Sequence, residues 1–101
     1  MKYQVLISAL ALEDVANIFE YITTSFNEPR IAANMKDSIL DAIDSLETYP
    51  MRAPLEKDEP FHSQGIRKLL IKNYYIFYHV EEEHVIITRV LYNRREWQDI
   101  L

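Results

Sequence analysis

The stretch Gly65-Ile66-Arg67-Lys68-Leu69-Leu70-Ile71-Lys72-Asn73-Tyr74-Tyr75-Ile76-Phe77-Tyr78-His79-Val80-Glu81-Glu82-Glu83-His84-Val85-Ile86-Ile87-Thr88-Arg89-Val90-Leu91 decides how this chain folds. Three runs of β-branched and aromatic residues, 66–71, 74–80 and 85–91, are parted by two polar interruptions, Lys72-Asn73 and Glu81-Glu82-Glu83. Such residues suit a pleated, half-buried surface, and connections this short leave no room for a crossover. The three runs therefore predict an antiparallel meander.

Working back toward the N-terminus, residues 50–63 hold Pro50, Pro54 and Pro60 among mixed charges and read as a loop with a short extended piece. Before it, Ala32, Met35, Ile39, Ile43 and Leu46 recur at helical spacing, with Asp37, Asp41 and Asp44 on the other side. This amphipathic helix is expected to begin at Pro29, where a missing N–H costs nothing, and to end near Tyr49-Pro50. Asn27-Glu28 separates it from a first helix whose apolar positions are Leu12, Val15, Ile18, Phe19, Ile22 and Phe26. A short run, Tyr3-Gln4-Val5-Leu6-Ile7, precedes that helix and stops at Ser8, a residue suited to capping. It reads as a strand whose neighbour in the sheet is left open. Two helices joined by so short a turn pack as an antiparallel hairpin and need a sheet to cover the rest of their apolar surface. The class is α+β: the order β-α-α-β-β-β, with the helical hairpin packed on one face of a twisted, mostly antiparallel sheet, in a single domain over residues 1–101.

Composition bounds the function. Apolar residues make up 49% of the 101 positions, enough for a core. The absence of Cys excludes disulfides and thiolate metal sites, and no segment reads as a signal peptide or membrane span, so the expectation is a soluble, cytoplasmic protein. A net charge of -5 opposes broad affinity for nucleic acid. The charge is uneven, however: residues 1–50 hold three bases against eight acids, and residues 51–101 hold eight of each. Within the second half Arg67, Lys68 and Lys72, and then Arg89, Arg94 and Arg95, occur in segments without an acid. A local basic patch on an acidic molecule is the expectation.

The element order, together with Gly65-Ile66-Arg67-Lys68-Leu69, Asn73-Tyr74-Tyr75-Ile76-Phe77-Tyr78 and Ile87-Thr88-Arg89-Val90-Leu91-Tyr92-Asn93-Arg94-Arg95-Glu96-Trp97, resembles the RelE/ParE toxin superfamily over nearly the whole chain. The ParE-like branch resembles it best, because that branch closes with an Arg-Val-Leu-His and Arg-acid-Trp pattern, with Tyr92 here in the place of His. The resemblance implies the toxin of a type II toxin-antitoxin system, a growth inhibitor of the kind tied to plasmid stabilization and bacterial stress response. Its partner is then a cognate antitoxin, in a homodimer of the toxin or a heterotetramer with the antitoxin. It implies one of two targets, DNA gyrase or the ribosome with its mRNA.

If the chain is a ribosome-dependent endoribonuclease, the resemblance assigns phosphate contacts to Arg67 and Arg95 and proton transfer to Tyr92. Cleavage by the 2′-hydroxyl needs a proton acceptor, positive charge on the phosphate and an acid for the leaving oxygen. The loop before the second strand offers Lys57 alone instead of a lysine pair, which favours a toxin that binds a large target through Arg67, Arg89, Arg94, Arg95 and Trp97. A third reading is a non-toxic binding module acting in a repressor complex with the antitoxin. His62, His79 and His84 lack ligand spacing, so neither metal nor other cofactor is expected. The partner is expected to dock as a helix or added strand over apolar surface left by the hairpin and the sheet edge.

Overall fold

Strand β1 (Gln4–Ile7) gives way at Ser8 to helix α1 (Ala9–Phe26). The Ser8 hydroxyl accepts the Ala11 N–H at 3.0 Å and donates to the Thr88 carbonyl at 3.0 Å, so one side chain caps the helix and fastens it to the sheet. The helix ends on Asn27, which takes the left-handed conformation that Asn tolerates, and α2 (Pro29–Asp44) begins on its proline. It stops earlier than its periodicity suggested, continuing as a 3-10 turn (Ser45–Glu47) that buries Leu46, before a second 3-10 turn (Pro50–Arg52). Strands β2 (Arg67–Ile71), β3 (Tyr74–Glu81) and β4 (His84–Tyr92) follow as the meander. Their tight connections place Lys72 and Glu82 at φ 56°, in the left-handed region that two-residue hairpin turns require. The computed structural model describes residues 2–93 and 100–101, the side chain of Phe26 apart.

The sheet order is β1-β4-β3-β2, with β1 parallel to β4 and the other pairs antiparallel. The two helices carry the chain from β1 to β2 at the far edge, and the meander then brings β4 back beside β1 in the same direction. One face of the sheet packs on the hairpin through Ala11, Val15, Ile39, Ile43, Ile76, Tyr78, Val85 and Ile87, all buried. Leu12, expected on the apolar side of α1, is 54% exposed; Ala11 takes the inward position. The opposite face carries a smaller cluster in which Ile66 and Phe77 are buried under Phe61, Tyr75, Leu91 and Leu101. Strand β3 is therefore covered on both sides. Among the described residues no helix is long and apolar enough to cross a membrane.

Candidate functional site

At the start of β2, Arg67 faces Tyr78 across the ladder, and both side chains reach for the backbone of the second 3-10 turn. Arg67 Nη1 donates to the carbonyls of Ala53 at 2.7 Å and Met51 at 3.2 Å. The Tyr78 hydroxyl donates to the Pro50 carbonyl at 2.7 Å in the core. Burial pushes the Tyr78 phenol above its ordinary value, with the Arg67 and Arg52 charges pulling the other way, so the group stays a neutral donor at physiological pH. From the turn itself, Arg52 reaches back to the carbonyls of Ser45 and Thr48, both at 3.3 Å. Neither Arg52 nor Arg67 forms an ion pair with a described carboxylate.

Next along the loop, Glu56 is buried, and its carboxylate meets Lys68 Nζ at 2.9 Å and the Lys57 N–H at 2.9 Å. Burial alone would raise its pKa, but the Lys68 and backbone hydrogen bonds together outweigh it and hold the group below its ordinary 4.5. The unfolded chain then binds this proton more readily than the folded one, so the stability contribution is present above about pH 4.5 and is lost as pH falls through the folded value. Glu56→Gln is expected to cost about 2 kcal/mol at neutral pH. In urea titrations that deficit should shrink on going to about pH 3; a constant deficit would mean that Glu56 acts by shape alone.

Arg89 lies across the sheet, where β1 has ended and the edge of β4 is open. It is clamped by Asp14 of α1, with Nε to Oδ2 and Nη2 to Oδ1 both at 2.8 Å, and the same carboxylate accepts the Val90 N–H at 2.9 Å. The hydrogen bond to Asp14 raises the Arg89 pKa against the opposing effect of burial. Arg89, expected among the target-contacting cations, thus carries its own counter-ion from α1.

At the far end of the meander, Tyr92 pairs with Tyr74, their rings 5.4 Å apart edge to face. The two tyrosines line an open cavity of about 600 Å³ with Ile18, Tyr21, Ile31 and Met35 of the hairpin. Tyr21 and Ile31 are more than half exposed, so the groove presents apolar surface to solvent.

Of the residues that resemblance grouped as a catalytic set, the two described ones, Arg67 and Tyr92, stand apart. Arg67 stands opposite Tyr78 and Tyr92 opposite Tyr74, a separation of four residues along β3, or roughly 13 Å at about 3.3 Å per residue. Arg94, Arg95 and Trp97 lie outside the described residues. His62 Nδ1 sits 3.0 Å from the Glu56 carbonyl, and His79 pairs with Glu81 at 3.9 Å. Among the described residues no group of three His, Cys, Asp or Glu side chains is placed to hold a metal ion. Sequence reasoning passed over Arg52, Glu56 and Asp14, whose partners lie 7, 12 and 75 residues away. No spacing rule marks them.

A family model described as the ParE toxin of the type II toxin-antitoxin system parDE matches residues 5–97. Among solved structures, the chromosomal ParDE system of P. aeruginosa contains a chain similar to this one, with 16% identity, a TM-score of 0.77, and coverage of 92% of this chain and 98% of that one. The RelBE2 toxin-antitoxin complex of Mycobacterium tuberculosis contains another, with 21% identity, a TM-score of 0.64, and coverage of 91% and 99%. At these identities the structural likeness shows the fold. No curated protein sequence matches the chain.

Proposed function

The chain belongs to the family of ParE toxins of type II toxin-antitoxin systems, and we propose that it arrests growth by binding DNA gyrase, without itself cutting a nucleic acid. The observation that carries this reading is the distance between Arg67 and Tyr92. An endoribonuclease must bring phosphate-binding charge and a proton-transfer group within reach of one scissile bond. Here Arg67 and Tyr92 sit at opposite ends of the meander, and Tyr78, the tyrosine that does lie beside Arg67, is buried with its hydroxyl donating to the Pro50 carbonyl. The net charge of -5 also weighs against a ribosomal RNA surface. On this reading Arg94, Arg95 and Trp97 belong to the target contact.

The cognate antitoxin occupies the groove beside Tyr92. An amphipathic segment laid between α1, α2 and the end of the sheet covers Tyr21, Ile31 and Tyr92, the exposed apolar surface there.

Purified toxin at micromolar concentration is expected to block gyrase supercoiling of relaxed plasmid, and addition of antitoxin to restore it. Untouched supercoiling would rule gyrase out. New 5′ ends on translated messages after induction would transfer the function to message cleavage.

A further inference from the structure

The turn that joins the hairpin to the meander holds an exposed aromatic in strained backbone. Tyr49 sits at φ 61°, ψ 51°, the left-handed region that residues with a Cβ rarely enter. Its side chain gains little from packing, being 79% exposed. What keeps the conformation is the backbone around it. Pro50 and Ala53 are buried, Tyr78 holds the Pro50 carbonyl, Arg67 holds those of Met51 and Ala53, and Arg52 holds those of Ser45 and Thr48. Strain that is over-determined by its surroundings tends to mark functional positions. Its consequence is display: Tyr49 and the half-exposed Met51 stand clear of the surface beside the exposed Arg52. Tyr, Met and Arg are the residue types enriched where protein interfaces are anchored.

We propose that Tyr49, Met51 and Arg52 form a protein-contact surface, separate from the apolar groove, that engages the growth-arrest target through an apolar pocket rimmed by carboxylates. Charge identifies the occupant. The Arg52 and Arg67 guanidiniums meet carbonyl and hydroxyl dipoles, with no described carboxylate paired to either, on a chain whose net charge is -5. Two cations with no described counter-ion, Arg52 on the same turn as exposed Tyr49 and Met51 and Arg67 bonded to that turn, match acidic groups around a hydrophobic depression. Exposed Met51 and the negative charge of the whole molecule fit a protein better than a nucleic-acid backbone. The surface rests on the reading of the chain as a toxin that acts by binding a protein.

The test uses Y49G, R52E and R52K in the full chain. Glycine enters the left-handed region freely, so Y49G is expected to keep the melting temperature or raise it by a few degrees. Y49G and R52E should bind antitoxin within about twofold of wild type yet arrest growth at least about tenfold less effectively, with R52K intermediate. Full arrest by folded, antitoxin-binding Y49G would overturn the proposal. If an oligonucleotide bound by wild type is released by R52E, the partner is a nucleic acid and the protein assignment falls. Because arrest is scored in cells, these variants also report when gyrase is not the target: supercoiling left intact while Y49G loses arrest would remove gyrase and keep the surface. Wild type that leaves growth unaffected would remove both.

Discussion

Replacing Asp14 by Ala is expected to destabilise the fold by about 3 kcal/mol, because one carboxylate satisfies three donors at a place where the sheet has run out of strands. Strand β1 pairs with β4 only as far as Ile87. Beyond it, the Val90 N–H would face the protein with no ladder partner, and Asp14 supplies the acceptor that a longer β1 would have offered. The same group neutralises Arg89 through two 2.8 Å bonds, with side-chain exposures of 11% for Asp14 and 19% for Arg89. Removing the acid strands a mostly buried cation together with an unpaired amide. Removing both charges is milder, since a hydrophobic pair of similar volume often replaces a buried ion pair at little cost. Asp14→Ala, Arg89→Met and the double variant therefore form a cycle in urea, with the double variant less destabilised than the sum of the singles. A loss below about 1 kcal/mol for Asp14→Ala would reduce the pair to a surface contact.

A charge placed in the groove should have an effect of similar size on binding while leaving the fold intact. Tyr21 and Ile31 are 63% and 51% exposed, so Tyr21→Asp and Ile31→Asp create no buried charge in the free toxin. Their expected cost to stability is within about 0.5 kcal/mol. Once an antitoxin segment covers them, the new carboxylate loses its water in a lining that is mostly apolar and holds no cation among the described residues. Each substitution is expected to weaken antitoxin binding about 100-fold, close to 2.7 kcal/mol, measured by titration calorimetry and by failure of co-expressed antitoxin to rescue growth. Unchanged affinity would place the antitoxin on another face.

The two surfaces divide the molecule in a way that bears on control. The groove lies at the Tyr92 end of the meander, and the Tyr49 turn lies beyond Arg67 at the other end. An antitoxin confined to the groove would not cover the turn directly. Its neutralising action would then require a second contact along the sheet or occlusion by the bulk of the complex, which the relative effects of the groove and turn variants separate.

Local chemistry wrote most of the elements into the chain. Ser8 before an amphipathic run, Pro29 after a break, and Lys72-Asn73 between two apolar strands each act over a few residues, so each is readable without coordinates. The runs 66–71, 74–80 and 85–91 likewise read as strands from their own residues, and the structure forms β2, β3 and β4 from them. The helical period was less sure at its margins: Ala11 is inward and Leu12 outward because the hairpin's rotation against the sheet chooses among adjacent apolar residues.

The place of β1 beside β4, the clamp of Asp14 on Arg89, the burial of Glu56 against Lys68 and the fastening of the Tyr49 turn by Arg67 and Tyr78 had no such local mark. Each joins segments that meet only in the closed tertiary structure, and a carboxylate in a sequence carries no sign of whether its partner will be water or a guanidinium 75 residues later. Periodicity and caps are properties of neighbours along the chain, whereas charge pairing depends on desolvation, which exists only after the layers have closed.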